Sequence, residues 1–175
     1  MPRDTTPTAR LSTTEYAVLG ILAEGPSHGF AVSKELAPEG GLGRVLTVRR
    51  PLVYRALDRL VEAGCAEPIS TEKGDAGPNR VIHRITRPGR RLLDQWLAHP
   101  VSHVRDLRIE FLLKLALLRR SSRSPLDLIR SQRRALEPTL SALNGAEAGD
   151  PVELWRRHNA AAATAYLEDL ERRYS

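Results

Sequence analysis

A single cysteine, Cys65, stands among 175 residues. No disulfide can close within the chain, which excludes the stapled framework of a small secreted domain. Cys65 follows Gly64 and opens a strand-like run, a place that suits a structural residue rather than a nucleophile. No stretch approaches the roughly 18 uninterrupted apolar residues of a membrane span. Residues 1–10 (MPRDTTPTAR) lack the apolar run of a signal peptide and read as a flexible N-terminal tail. The expectation is a cytoplasmic protein with no membrane partner. The sequence also has no glycine-rich phosphate loop and no nucleophile elbow, and its acidic residues fall where helix caps and exposed helix faces are expected. An enzyme and a cofactor are therefore not expected. His99 and His103 are four apart, but Pro100 lies between them and no further ligands accompany them, so no metal site is expected.

What is present is helical punctuation. Leu11-Ser12-Thr13-Thr14-Glu15-Tyr16 carries a capping box, Ser12 with Glu15 three positions on, and Leu11 and Tyr16 are spaced for a hydrophobic staple. Val18, Leu19, Leu22 and Ala23 follow at helical spacing until Gly25-Pro26. Ser27 is placed to cap a second, short helix with Phe30, Val32 and Leu36, ended by Pro38 and the Gly40–Gly43 stretch. Val45–Val48 reads as briefly extended. Pro51 suits the first turn of a third helix, with Val53, Ala56, Leu57, Leu60 and Val61 on its buried face and Gly64 closing it.

A two-stranded ribbon is predicted next, over Cys65–Glu72 and Arg80–Thr86, with Lys73–Asn79 as a polar tip. On the second strand Val81, His83 and Ile85 alternate with Ile82, Arg84 and Thr86. Three helices and a hairpin within about 80 residues are the pattern of a winged helix-turn-helix. From Pro88 onward the pattern is helical. A helix carries Leu92, Leu93, Trp96 and Leu97, and a very apolar one covers Val104–Leu118. A third opens at Ser124-Pro125 and runs to about Leu143, and a last one opens at Asp150-Pro151 and runs to Tyr174.

The predicted fold is thus mostly α with a small β-hairpin. It divides into the tail 1–10, a winged helix-turn-helix DNA-binding domain over 11–87, and a helical dimerisation and possible effector-binding domain over 88–175.

Charge points to a partner. The formal net charge is +6, with 14 Lys/Arg against 10 Asp/Glu in residues 1–91 and 13 against 11 in residues 92–175. Balance alone fits ordinary solubility, but position is more informative. Arg49, Arg50, Tyr54 and Arg55 lie at the start of the third helix, largely off its apolar face, while Asp58 and Glu62 come later. A guanidinium fork can engage both acceptors of a guanine edge in the major groove. Lys73, Arg80 and Arg84 flank the wing tip, where they could reach backbone phosphates, and Lys34 and Thr47 could add phosphate contacts. Double-stranded DNA is the expected partner.

These same segments resemble the PadR family of bacterial transcriptional regulators. The resemblance rests on Leu11–Leu22, on Gly25-Pro26-Ser27-His28-Gly29-Phe30, on Val53–Leu60 with Glu62-Ala63-Gly64, on Ile85–Gly89 and on Arg108–Leu115. It covers roughly residues 11–120. It implies a homodimer, usually a repressor, released from its operator by a small molecule, and it implies that Tyr54 and its neighbours contact DNA. A dimer with one third helix per major groove is expected to straddle an inverted-repeat operator. Two departures stand out. Phe30 occupies a position where the family commonly has Tyr, so a contact made by that hydroxyl is absent here, and the third helix has a proline-rich start.

In the C-terminal half, the apolar 104–118 helix must be covered by neighbours or by a second subunit. Dimerisation is assigned to the last helix and to parts of 88–118, an intramolecular bundle being the alternative. Trp96 and Trp155, the two tryptophans, are candidates to stack a planar effector between the domains, against the simpler reading that both are packing residues. The rival function is a winged-helix protein-interaction module without specific DNA binding. A different winged-helix family, with dimer helices from both termini, fits less well because little helix precedes Leu11.

Overall fold

The computed structural model describes residues 11–74, 77–145 and 149–175. The tail 1–10 and the tip residues Asp75 and Ala76 lie outside them. Two compact units divide the chain, Met1–Trp96 and Leu97–Ser175.

The first unit opens with α1 (Thr13–Glu24). Its capping box is formed: the Glu15 amide donates to Ser12 Oγ at 3.3 Å and the Ser12 amide donates to Glu15 Oε2 at 2.6 Å. Glu15 is only 3% exposed, and its other oxygen meets Arg59 Nε at 3.1 Å, so one buried carboxylate serves both a helix start and an ion pair. Residues Ser27–His28 then form a short strand, β1, and α2 (Gly29–Glu35) follows. This corrects the expected cap. The Ser27 backbone is committed to the sheet opposite His83, so the capping role passes to His28, whose Nδ1 accepts from the Ala31 amide at 3.1 Å.

The chain after α2 folds back on it. The Leu42 amide donates to the Glu35 carbonyl and the Val48 amide to the Leu36 carbonyl, with Leu42 fully buried. Val45 ends a turn on Leu42 rather than opening an extended stretch. The third helix, α3 (Arg50–Glu62), buries Val53, Ala56, Leu57 and Leu60, a single stripe at three- and four-residue spacing. Burying each Leu or Val contributes about 1.5–3 kcal/mol relative to exposure. A Schellman motif ends α3: the Gly64 amide donates to Val61, the Cys65 amide to Leu60, and Gly64 sits at φ +67°, where a side chain would be strained.

The ribbon consists of β2 (Ala66–Gly74) and β3 (Gly77–Ile85), and the antiparallel sheet has three strands in the order β1-β3-β2 rather than two. Both long strands reach further toward the tip than expected. Pro68 pairs with His83 and Ser70 with Ile82, which leaves Ile69 as an extra residue in a bulge. The buried residues of β3 are Ile82 and Ile85, with Val81 exposed. They have opposite parity, so both faces of this middle strand are covered near its base and the simple alternation expected there is lost. Thr86 ties the ribbon to α4 (Arg87–Ala98), accepting from the Gly89 amide and donating to the Gly64 carbonyl at 2.6 Å. This architecture, three helices with a β-hairpin behind them, is a winged helix.

The second unit begins within α4. The expected continuous helix over 104–118 is interrupted: Val104–Arg108 is a 3-10 turn, Ile109 is a turn residue at φ −117°, and α5 spans Glu110–Arg120. Phe111, Leu113, Leu115, Leu117 and Leu118 are buried within one copy of the chain, so a second subunit is not needed to cover α5. Lys114 is also buried, paired with Glu110 Oε1 at 2.8 Å and donating to the His99 carbonyl at 2.8 Å. The long helices α6 (Leu126–Gly145) and α7 (Pro151–Tyr174) pack together. Arg130 and Arg133 meet Glu171, while Asn144 meets Thr164, a pairing order that makes the two helices antiparallel. Asp150 caps α7 through the Val152 and Glu153 amides.

Candidate nucleic-acid interface

α3 turns its apolar stripe to the core and leaves Arg49, Arg50, Leu52, Tyr54 and Arg55 on the exposed side. Nothing acidic lies in its first turn. Tyr54 is held close to α2: a Cβ on Gly29 would come within 2.7 Å of the Tyr54 ring, so the ring lies where only glycine leaves room. Arg50 reaches back along the helix, its Nη2 3.4 Å from Tyr54 Oη and its guanidinium carbon 5.6 Å from the Tyr54 ring centroid.

A groove of about 350 Å³ runs between α2, α3 and the wing, with Phe30, Arg50, Tyr54, Arg80 and His83 in its walls. The half-buried Phe30 ring is its hub. Lys34 Nζ lies 5.1 Å from the ring centroid, the Arg50 guanidinium 5.2 Å and the Arg80 guanidinium 5.6 Å. His28 stacks loosely on the same ring, with centroids 6.3 Å apart. Asp58 is the acidic residue in the groove lining. Burial lowers the His83 pKa from its ordinary value, opposed by the Val81 carbonyl and by Asp58, and the His83 Nδ1 atom is buried without a hydrogen-bond partner among the described residues. The neutral form is thereby favoured, so His83 adds little positive charge to the groove. Cys65 is buried nearby in sequence, and burial, then Glu15, raises its pKa, which keeps it a thiol rather than a nucleophilic thiolate.

The structure thus gathers Lys34, Arg50, Tyr54 and Arg80, expected from three separate segments, in one place. Arg49 and Arg55 are exposed on the α3 side, and Lys73 is exposed further out on β2. Thr47 is exposed, with its hydroxyl donating to the Gly43 carbonyl at 2.8 Å. Arg84, also expected on the wing, is tied to Glu67 across the ladder at 2.6 Å. The sequence placed Phe30 among the apolar residues of the second helix and as a departure from a family pattern, not at a cation cluster. The one local signal of its role was Lys34 four positions on, a spacing that puts both side chains on one face of α2. Leu52 was missed altogether, an apolar side chain 46% exposed on the first turn of α3.

Trp96 and Trp155 belong to different units. The Trp96 ring is stacked on Tyr16, centroids 4.3 Å apart and planes 7° from parallel, so one of its faces is occupied. Trp155 is 69% exposed beside a cavity of about 580 Å³ in the second unit, whose walls include Arg105, Arg108, Leu143, Arg156 and Asn159. Among the described residues no cluster of three or more His, Cys, Asp or Glu side chains could hold a metal ion, and no helix is long and apolar enough to cross a membrane.

The family model described as "Transcriptional regulator PadR-like family" matches residues 18–95, the span that contains α1, the groove, α3 and the wing. Residues 18–95 are thus similar to the PadR-like family. Solved structures similar to the chain include PadR of Bacillus subtilis in complex with operator DNA, at 20% identity over 90% of this chain and 97% of that one, with a TM-score of 0.48. The smu.1604c protein of Streptococcus mutans UA159 is similar at 19% identity over 91% and 96%, with a TM-score of 0.45. Bacillus subtilis PadR in complex with p-coumaric acid is similar at 20% identity over 94% and 96%, with a TM-score of 0.42. No curated protein matches the chain. The PadR-like segment ends at residue 95, so α5, α6 and α7 lie outside it.

Proposed function

We propose that the protein is a sequence-specific DNA-binding transcriptional regulator, a homodimeric repressor that binds an inverted-repeat operator and is released by a small molecule. The observation that carries this is the gathering of cations at the exposed start of α3 and on the wing, within a segment of a transcriptional regulator family. α3 would enter the major groove by its N-terminal turn, where Arg49 and Arg55 can address base edges. Leu52 offers an apolar surface suited to a thymine methyl group. Lys73 and Arg80 on the wing, with Lys34 and Thr47 behind, would take backbone phosphates.

A dimer follows from the need to place two such helices in successive major grooves. Val152, Leu154, Trp155 and Tyr166 are exposed on α7 and offer an apolar surface for the partner. For the effector, the cavity beside Trp155 combines guanidiniums with an indole face and suits a ligand with a flat apolar part and negative charge. Such a ligand releases DNA only by binding the released conformation better than the bound one.

The test is charge reversal on α3. The double substitution Arg50→Glu and Arg55→Glu should abolish gel shift of a duplex that the native protein binds, and should leave the sedimentation behaviour of the native oligomer unchanged. Retained duplex affinity in the folded double variant would place the DNA surface elsewhere.

A further inference from the structure

The groove contains an arrangement that DNA binding in general does not require. Lys34 comes from α2, Arg50 from α3 and Arg80 from β3, yet all three converge on one phenyl ring, the farthest at 5.6 Å from its centroid. Like charges brought this close repel one another, and proteins usually relieve that with carboxylates. Elsewhere this chain does so: Arg59 has Glu15, Arg84 has Glu67, and Arg130 and Arg133 share Glu171. Among the described residues Lys34, Arg50 and Arg80 have no ion-pair partner, although Asp58 stands in the same groove. What faces them is the π-surface of Phe30, which attracts a cation through its quadrupole without cancelling the charge. The ring therefore orders three cations and leaves their positive potential free for an anion from outside.

We propose that Phe30 is a positioning residue that assembles Lys34, Arg50 and Arg80 into one composite seat for a DNA backbone phosphate. The inference rests on the DNA-binding reading given above and sharpens it. Arg50, drawn back toward Tyr54 and Phe30, becomes a phosphate contact. Reading of base edges is left to Arg49, Leu52 and Arg55. Because the seat joins α2, α3 and the wing through side chains alone, loss of the ring removes the hub that the three cations share without removing any charge, and leaves Arg50 only its contacts with Tyr54.

Phosphate contacts are independent of sequence, so the experiment needs no operator. Binding of an arbitrary 30-base-pair duplex (~100 Å long at 3.4 Å per pair) is followed by fluorescence anisotropy across a salt series. The proteins are the native chain, Phe30→Leu, Phe30→Met, Phe30→Tyr and Arg80→Ala, each with its thermal melt. Loss of one phosphate contact lowers the slope of log K against log salt by about 0.9. Arg80→Ala should lower it by about that much. Phe30→Leu and Phe30→Met should lower it by about one to two, with affinity at low salt down about tenfold, a factor worth 1.4 kcal/mol. Phe30→Tyr, which keeps the ring, should retain the native slope.

Combining Phe30→Leu with Arg80→Ala should cost less than the sum of the two, since both remove the same seat. A merely structural role for Phe30 would lower the melting temperature and leave the slope of the folded protein unchanged. An unchanged slope in the Phe30 variants, or in Arg80→Ala, overturns the seat. A native protein whose binding to the duplex shows no salt dependence overturns instead the DNA-binding reading on which it rests.

Discussion

His83 is held on both sides, paired through its backbone with Ser27 of β1 and with Pro68 of β2, and its ring looks into the groove under α3. Burial is the larger of its influences and depresses its pKa below the ordinary 6.5. The consequence for stability has a definite sign. Below pH 6.5 the unfolded chain takes up a proton that the folded chain resists, so the stability present above that value is lost as the pH falls toward the lower folded pKa. The melting temperature should therefore drop between about pH 7.5 and pH 5.5. His83→Gln, which cannot titrate, should show a shallower drop over the same range. Parallel curves for the two proteins would assign the acid sensitivity to another group. Gly29 illustrates a different residue-scale constraint, one read only from three dimensions. Its missing side chain lets the Tyr54 ring approach α2, and no local pattern around Ser27-His28-Gly29 announces an aromatic ring 25 positions further along the chain.

At the scale of elements, the features set by near neighbours were the legible ones. The Ser12–Glu15 capping box, the stripe from Val53 to Leu60, the Gly64 stop and the Asp150-Pro151 start are all satisfied within a few residues, and each is formed as its spacing implied. Features set by distant partners were not. β1 has two residues and exists only because β3 pairs with it from about 55 positions away, a separation too great for a local pattern to carry. The same pairing moved the α2 cap from Ser27 to His28. The break at Ile109 divides what reads as one apolar helix, because continuous hydrophobicity gives no period from which a boundary can be drawn. Of the interface, the cations could be named from their place on α3 and the ribbon, but their convergence on Phe30 depends on tertiary packing.

One element-scale device governs the second unit. Gln132, fully buried in α6, imitates a strand partner: its Nε2 donates to the Val101 carbonyl at 2.9 Å and its Oε1 accepts from the Val101 amide at 2.7 Å. Gln132→Leu conserves most of the volume but leaves both Val101 groups buried and unpaired, at about 1–3 kcal/mol for each. Chemical denaturation should show a loss of roughly 2–6 kcal/mol on that basis, and a loss below 1 kcal/mol would mean that water reaches Val101 in the variant.

For the whole molecule, the two compact units carry different kinds of surface. The first presents the cation groove and the exposed turn of α3, and the second presents an α7 whose Trp155 and Val152 are largely uncovered. Under the function proposed above, one unit would address DNA and the other a second copy, as a two-fold operator demands, since a single α3 contacts too few bases for tight specific binding. The +6 formal charge favours any polyanion, and specificity must come from the few side chains that reach base edges. The most direct test is selection of bound duplexes from a random-sequence pool by the full chain, at about 150 mM salt, where nonspecific binding is weak. The account predicts recovery of an inverted repeat with half-site centres about one helical turn, roughly 10 base pairs, apart or a multiple of it. Recovery of no enriched sequence by folded, dimeric protein would contradict it.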